Sequence, residues 1–252
     1  MVTLDQLRRF SAHIGADPLL VQAAGGNTSL KQDGVMWIKA SGTWLRDAEA
    51  TNIFVPIDHA RLMAALAQGD TACETCTDFI CSSVTSGGLR PSIETTVHAL
   101  LPQRIVVHVH CVNTIAWAIQ GDAELRIGGK LAGFNWAFIP YAMPGLSLAG
   151  AIAKRLRPEV DVLVLGNHGL VVAAETVEAA ESLLKRVVSA LRRPVREAIA
   201  PDHSALAAAC AGTYYAPASS DETHALATDG PALAHGANAV FYPDHVVFLG
   251  VG

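Results

Sequence analysis

We predict an α/β fold from the sequence, with a mixed, mainly antiparallel central sheet that is flanked by helices on both faces. Segments with apolar residues at helical spacing alternate along the chain with short runs rich in β-branched residues. Several neighbouring strands are joined only by short turns, as in residues 23–42 and 160–174. Short turns favour antiparallel pairing, because a parallel pair needs a crossover of a dozen or more residues.

The first part of the chain predicts two helices and three strands. Apolar residues at helical spacing predict an opening helix over residues 3–16. Residues 23–42 fit a hairpin, because a Gln-Asp-Gly turn separates two strands. A third strand is predicted over residues 52–58, and Asp58 is expected to cap the helix that follows.

The rest of the chain continues this alternation. Ser92 is predicted to cap a helix over residues 91–102, which Pro102 ends, and a strand over residues 104–111 follows. The later elements are a helix over 114–121, an extended segment over 136–145, a helix over 147–157, two strands within 160–174, a helix over 176–199 and one or two strands within 238–252.

The composition excludes several classes of partner. The chain has 252 residues, of which 51% are hydrophobic and 16% charged, with a net charge of -5, as in globular proteins. Its basic residues are scattered, so we expect no nucleic-acid partner. The best candidate for a membrane span, residues 105–119, contains two histidines and is shorter than the roughly 20 residues required. We therefore expect no membrane partner.

The cysteines indicate a reducing compartment. The five cysteines are irregularly spaced, and the N-terminus lacks the apolar stretch of an export signal. We therefore expect the protein to be cytoplasmic. Cys73 and Cys76 have redox or zinc spacing, but no second pair completes a four-thiolate site, and ordinary buried packing explains them better.

Two histidines, His108 and His110, lie one residue apart in the strand predicted over residues 104–111. Residues i and i+2 of a strand point to the same face, so the two imidazoles converge. Such a pair supplies half of a metal site. Taken alone, the pattern also fits two structural histidines that each bond a neighbour.

A third histidine, His168, lies at a turn between two predicted strands. Combined with the first pair it can supply a third nitrogen, and three protein nitrogens with an open position are the pattern of catalytic zinc. Other divalent metals could occupy the same site.

Glu94 lies near the start of the helix just before the histidine strand. A carboxylate beside a metal can be a fourth ligand or a general base. Two structural roles stay open: stabilising the positive helix N-terminus, or pairing with His98 four residues on.

Three segments rich in Gly, Ser and Asn could present backbone N–H groups to an anion. They are residues 25–29, residues 40–42 and Ser92 at its predicted helix N-terminus. Each is weak alone, because turns are commonly built from these residues.

The ordered motifs GGNTS, ASG, PSIE, HVH, PYAMPG and GNHG together resemble the class II aldolase/adducin family over roughly residues 5–195. That family includes zinc-dependent fuculose-phosphate and rhamnulose-phosphate aldolases and ribulose-phosphate 4-epimerases. The resemblance implies a mixed α/β sandwich, a small sugar-derived substrate and a homo-oligomer, commonly a tetramer with sites at subunit interfaces. It implies a class II aldolase/adducin-like domain at residues 1–200, with residues 201–252 as a C-terminal extension packed on it.

The resemblance also implies roles for single residues of this chain. A zinc ion, or another divalent metal, would be held by His108, His110, His168 and Glu94, with Glu94 as ligand or acid/base. The substrate-phosphate pocket would comprise Asn27, Ser41, Gly42 and Ser92. Tyr141 matches a tyrosine that reaches a neighbouring subunit's site as proton donor.

The implied reaction is metal-dependent retro-aldol cleavage of a ketose, such as a ketose phosphate or a related acid, through a metal-stabilised enediolate. Glu94 and Tyr141 would be the catalytic residues. A sugar-phosphate 4-epimerase or a decarboxylase could use the same site. A non-catalytic adducin-like scaffold is the alternative from another class, and the presence of all three histidines and the glutamate argues against it.

One position departs from the family pattern. The sugar-phosphate aldolases carry two adjacent serines before the glutamate, where this chain has Ser92 and Ile93. The lost hydroxyl removes a hydrogen bond to a charged acceptor, worth about 1.5–3 kcal/mol. The pocket could therefore take another anion, such as a carboxylate, or Arg90 could compensate.

The C-terminal YPDHVVFLG segment resembles longer aldolase-like modules that precede a short-chain dehydrogenase domain. No glycine-rich dinucleotide motif follows a strand in this sequence, so we expect no dehydrogenase activity from it.

Overall fold

The computed structural model describes residues 2–82, 87–194, 199–238, 240 and 242–250. The chain divides into two compact units, Met1–Arg192 and Arg193–Gly252. The first unit contains the sheet and every residue of the predicted site.

The first unit alternates strands and helices. Its strands are β1 (Asn27–Gln32), β2 (Val35–Lys39), β3 (Phe54–Asp58), β4 (Ile105–Val109), β5 (Trp136–Ile139), β6 (Val162–Leu165) and β7 (Gly169–Ala174). Its helices are α1 (Leu4–Gly15), α2 (His59–Gln68), α3 (Thr95–Leu100), α4 (Val112–Ala118), α5 (Ala123–Lys130), α6 (Leu146–Ala153) and α7 (Val177–Ala190).

The strands form one sheet in the order β3-β2-β1-β4-β7-β6-β5. Among the described strands, only β5 and β6 pair in parallel, and the other neighbours are antiparallel. The prediction of a mixed, mainly antiparallel sheet is confirmed.

Helices cover both faces of the sheet. Along β4, Ile105, Val107 and Val109 pack in a core with α1, α5 and α7, whereas Val106 packs in a second core with α3 and α6. This alternation follows from the two-residue period of a strand. It leaves β4 buried along its whole length, which accounts for the apolar residues on both of its faces and leaves His108 as its one polar residue.

Several strand ends meet at one end of the sheet. Asn27, the first residue of β1, pairs with His108 near the end of β4. Leu165, the last residue of β6, pairs with Gly169, the first of β7. Because β1 and β7 begin where β4 and β6 end, the connecting loops lie together, and the predicted site residues lie in or beside these loops.

Several predicted helix boundaries differ from the structure, and those of α3 and α7 have clear reasons. Helix α3 begins at Thr95 with Glu94 as its N-cap, so the prediction of Ser92 as the cap is wrong. The Ser92 hydroxyl instead accepts from the backbone N–H of Glu94 at 3.2 Å, in a turn that precedes the helix. Helix α7 ends at Ala190, whereas the predicted helix runs to residue 199. Pro194 has no backbone N–H and could not continue the helix. Residues 195–198 of the predicted helix lie outside the described residues.

The second unit contains four helices within its described residues, α8 (His203–Cys210), α9 (Asp221–Thr228), α10 (Gly230–Asn238) and α11 (Pro243–Leu249). The prediction of one or two strands within residues 238–252 is wrong for Pro243–Leu249, which form α11, and residues 239, 241, 251 and 252 lie outside the described residues. Pro243 suits the first turn of a helix, and a four-residue apolar run does not separate strand from helix by its period. None of the helices in the described ranges is long and apolar enough to cross a membrane.

Candidate metal centre

Strand β4 positions the first two histidines of the site. His108 lies inside the strand and His110 one residue beyond it, on the same face, and both are buried. Their Nε2 atoms are 3.0 Å apart. The two rings converge because residues i and i+2 of a strand point to the same face. Strand β7 pairs with β4, and the loop before β1 packs against the His110 ring.

The turn between β6 and β7 brings in His168. Asn167 has a φ of 49°, a left-handed conformation that Asn tolerates better than most residues. The tight turn directs the His168 ring toward the β4 pair, with ring centroids 4.9 Å from His108 and 5.2 Å from His110. The third nitrogen therefore comes from a loop that is 60 residues away in the chain yet adjacent in the sheet.

Glu94 completes the cluster from the start of α3. One carboxylate oxygen, Oε2, lies 3.3 Å from Nε2 of His108, and the other, Oε1, lies 3.3 Å from Nε2 of His168. The side-chain amide of Asn27 donates to Oε2 at 2.8 Å. The four side chains are buried, and their ligand atoms all lie within 4.8 Å of one another.

The charge states suit a metal. Burial raises the pKa of the Glu94 carboxyl, but the nearby histidines and the Asn27 amide outweigh burial and lower it to about 2. Burial lowers the pKa of His108 to about 3, against the opposing effect of Glu94. At neutral pH the carboxylate is thus ionised and His108 neutral, the forms in which both bind metal ions.

The donor set also fits zinc in its arrangement. Two nitrogens each about 2.0–2.1 Å from a tetrahedral zinc ion lie roughly 3.3 Å apart, close to the 3.0 and 3.3 Å separations within the cluster. Nδ1 of His108 donates to the Leu170 carbonyl at 3.1 Å. That bond fixes the ring and leaves Nε2 as the nitrogen that could bind a metal ion, an arrangement commonly seen around metal-binding histidines.

Two glycines allow the backbone to approach the histidines closely. A Cβ atom at Gly25 would lie 2.9 Å from Nδ1 of His110. A Cβ atom at Gly169 would lie 2.5 Å from the Val109 carbonyl and 3.0 Å from Cε1 of His108. Both glycines belong to motifs singled out in the sequence, and the structure gives a steric reason for each.

The Gly25→Ala variant is expected to bind zinc about tenfold to a hundredfold more weakly, the usual effect of disturbing the supports of a metal ligand. The added methyl group must displace His110 or the turn above it. Competition with a chromogenic chelator measures the dissociation constant. Gly129→Ala is the matched control, because its Cβ would meet nothing within 4 Å. Equal zinc affinity in both variants would contradict a role for His110 as ligand.

The predicted substrate residues divide into two groups. Asn27 and Ser92 are buried beside Glu94, and the Asn27 amide donates to both the Glu94 carboxylate and, at 3.2 Å, the Ser92 hydroxyl. Ser41 and Gly42 are exposed in the loop after β2, which is held beside the segment before Ser92 by the bond from Ser41 N–H to the Arg90 carbonyl.

Tyr141 is not brought to the cluster within its own chain. Its side chain is 56% exposed, and no hydrogen bond in the described part of the chain joins its hydroxyl to Glu94 or the histidines. Ile93 is likewise 53% exposed, and its side chain lies near Gly145 rather than in the cluster.

Two buried side chains near the site, His98 and Lys39, were not predicted correctly from the sequence. His98 pairs with the Ser29 hydroxyl through Nδ1 at 2.7 Å, and among the described contacts it makes no direct bond to the Glu94 side chain. Lys39 is buried at the end of β2 and interacts electrostatically with Glu94. A charged residue directly after an apolar strand run, just before the ASG motif, was the available signal for Lys39.

Comparison with known proteins gives a family and a fold. Residues 10–195 match the family model described as Class II Aldolase and Adducin N-terminal domain. The chain is similar to the "Uncharacterized oxidoreductase YuxG" of Bacillus subtilis (strain 168), at 31% identity over 178 residues, 66% of this chain and 25% of YuxG. The chain thus spans about a quarter of the length of that relative.

Solved structures have the same fold. The N-terminal class II aldolase domain of a conserved protein from Thermoplasma acidophilum has a TM-score of 0.66 at 27% identity, covering 75% of this chain and 91% of that one. YgbL from Klebsiella pneumoniae has a TM-score of 0.57 at 22% identity, covering 76% and 89%. L-fuculose-1-phosphate aldolase from Thermus thermophilus has a TM-score of 0.51 at 17% identity, covering 74% and 91%.

Proposed function

Because the chain belongs to the class II aldolase and adducin family, we propose that it is a metal-dependent aldolase that cleaves a ketose, a ketose phosphate or a related acid by retro-aldol chemistry. The observation that carries this proposal is the buried cluster of Glu94, His108, His110 and His168. An ionised carboxylate is costly to bury, and apolar residues would serve folding alone as well or better. A binding site is the simpler reason for keeping these four side chains together.

We propose that the three Nε2 atoms and the Glu94 carboxylate hold zinc or another divalent cation. The neutral His108, the ionised Glu94 and the short separations between donor atoms support this assignment. When bound, such an ion supplies a Lewis acid that polarises the substrate carbonyl.

Glu94 is proposed to move the proton at the carbon beside the substrate carbonyl. In the condensation direction its carboxylate removes that proton, and in the cleavage direction it returns the proton to the same carbon after the C–C bond has broken. The low pKa keeps the carboxylate ionised at neutral pH, so that it has a lone pair for the proton, and also makes it a weaker base than an ordinary glutamate. The Asn27 amide holds Oε2 at 2.8 Å and so fixes the orientation of the carboxylate.

Tyr141 is proposed to act across a subunit interface. In condensation its hydroxyl would give its proton to the aldehyde oxygen and become a phenolate, and in cleavage that phenolate would take the proton of the substrate hydroxyl that becomes the aldehyde oxygen. Its 56% exposure, and the 69% exposure of the nearby Met143, support contact with another copy of the chain. We therefore propose a homo-oligomer, with a tetramer as the expected form.

The zinc-loaded protein is expected to release an aldehyde from a short ketose phosphate or its acid analogue. The test screens such compounds and follows the aldehyde by coupled NADH oxidation. An inverted ketose without aldehyde would instead identify a 4-epimerase, and release of carbon dioxide a decarboxylase. Protein purified without chelator that holds no transition metal, and cannot be loaded with one, would contradict the proposal and favour a scaffold.

A further inference from the structure

Strand β5 forms one edge of the sheet, and the described part of the chain pairs it with β6 alone. The carbonyls of Asn135 and Ile139 accept bonds from backbone N–H groups at the two ends of β6. Successive residues of a strand point their backbone groups to opposite sides. The odd-numbered residues of β5 therefore face β6, and the N–H and C=O groups of Trp136 and Phe138 point outward.

The opposite edge of the sheet, strand β3, is covered. It contains Pro56, which has no N–H group to offer a further strand. The Cys81 N–H donates to the Pro56 carbonyl at 2.9 Å, and Ile80 forms a bridge with Ile57. Proline and covering segments are common protections of an edge strand. Strand β5 contains no proline, and charged side chains border its outer side instead.

An ion pair spans the open edge of β5. Helices α5 and α6 pack on opposite faces of the sheet; Glu124 belongs to α5, and Arg155 follows α6. The Arg155 guanidinium group donates to the Glu124 carboxylate at 3.0 Å and to the outward Phe138 carbonyl at 2.9 Å. The two charged side chains are 42% and 58% exposed, and pairs as exposed as this contribute little to stability. A ligand that brings its own carboxylate can therefore replace Glu124 at low cost.

The surface beside this edge is basic. Lys154, Arg155 and Arg157 line a depression of about 490 Å³ next to β5, and Glu124 is the acidic residue among its lining side chains. Arg157 also contacts the exposed Glu159 at 3.6 Å. For Lys154 the described residues supply no ion-pair partner. The depression therefore attracts a negatively charged group.

These charges discriminate between the strands that could pair with β5. Two copies of this chain that paired through β5 around a twofold axis would bring the basic side chains of both copies together, which is unfavourable. An extended acidic segment would instead place carboxylates beside Lys154 and Arg157. Its backbone would accept from the Trp136 and Phe138 N–H groups and donate to the Trp136 carbonyl.

We propose that the outer edge of β5 is a docking site for an extended, acidic segment of a partner protein, which adds to the sheet as a further strand. The backbone of Trp136 and Phe138 would supply the pairing, and Lys154, Arg155 and Arg157 would select the carboxylates. Strand β5 begins beside the start of β6, whereas the metal cluster adjoins the end of β6. The docking site and the proposed chemistry do not depend on each other.

The test measures, by fluorescence anisotropy on the full chain, binding of a short labelled peptide in which Glu and Val alternate. Alternate residues of a strand point to opposite faces, so Glu can reach the basic residues that follow α6 while Val lies on the face of Trp136 and Phe138. The wild type is expected to bind this peptide in the micromolar range and to leave a Lys and Val peptide unbound. Methylating the peptide nitrogens that face β5 keeps the charge but blocks the pairing, and should weaken binding at least about tenfold.

Charge variants test the basic depression. Lys154→Glu combined with Arg157→Glu is expected to weaken binding of the acidic peptide at least about tenfold. The matched control combines Arg9→Glu with Lys185→Glu, which changes the net charge equally at exposed positions of α1 and α7 and should bind within about twofold of the wild type. Glu124→Gln removes the competing carboxylate, so it is expected to bind about two- to fivefold more tightly.

Hydrogen exchange followed by NMR locates the contact. The Trp136 and Phe138 amides have no backbone acceptor in the described ranges, so they should exchange fast in the free protein and at least about tenfold more slowly with the peptide bound. Equal affinity for the parent and methylated peptides would overturn pairing with β5. Equal affinity of the Lys154 and Arg157 double variant and its control would overturn selection by the depression. A wild type that binds no acidic peptide would overturn the docking site itself.

Discussion

The His108→Ala variant is expected to hold almost no zinc, whereas the wild-type chain should hold about one ion. His108 lies at the centre of the cluster, since its Nε2 lies 3.0 Å from Nε2 of His110 and 3.3 Å from Oε2 of Glu94. Removing it takes away one nitrogen and also the ring that the Leu170 carbonyl holds in place. Elemental analysis of dialysed protein measures the stoichiometry.

Thermal unfolding gives a second readout for the same variant. A ligand that binds only the folded state stabilises it, by about 2.7 kcal/mol at a free concentration of 100 times its dissociation constant. Zinc should therefore raise the melting temperature of the wild type and leave that of His108→Ala unchanged. His13→Ala is the control, because His13 is exposed on α1 outside the cluster. A variant that keeps one tightly bound ion would show that the cluster is not the site.

The sequence predicted the parts of the site that depend on local geometry. A two-residue spacing in a strand fixes that His108 and His110 share a face, whatever the strand packs against. The turn between two strands likewise fixes where His168 is displayed. The class of sheet followed from the short turns between strands, since those turns leave no room for parallel crossovers.

Features that depend on distant contacts were harder to predict. The approach of Gly25 to His110, and the placement of Lys39 between two loops, arise from segments far apart in the chain. The start of α3 was misplaced because the Ser92 hydroxyl bonds within a preceding turn, an option that residue preference alone does not exclude. The C-terminal helix was misread because its apolar run is too short to show a period.

The Glu94→Gln variant is expected to lose turnover by a factor of about 10²–10⁴, the usual contribution of general acid–base catalysis. The amide has the size of the carboxylate, so the Asn27 contact and the three histidines can remain in place. An amide cannot take up and return the proton at the substrate carbon. Turnover should therefore fall while zinc stays bound through three nitrogens, as it does in catalytic zinc sites.

Proton exchange distinguishes this role from that of a ligand alone. In deuterated water the wild type should exchange the proton beside the carbonyl of the ketone product without the aldehyde partner, as followed by NMR, and Glu94→Gln should not. Glu178→Gln is the control, since Glu178 is exposed on α7. If zinc content and exchange fall together in Glu94→Gln, and added zinc restores both, then Glu94 serves the metal only. The proton would then have to be moved by another group, and Tyr141 is the remaining candidate, because the proposed chemistry already gives it a proton to carry.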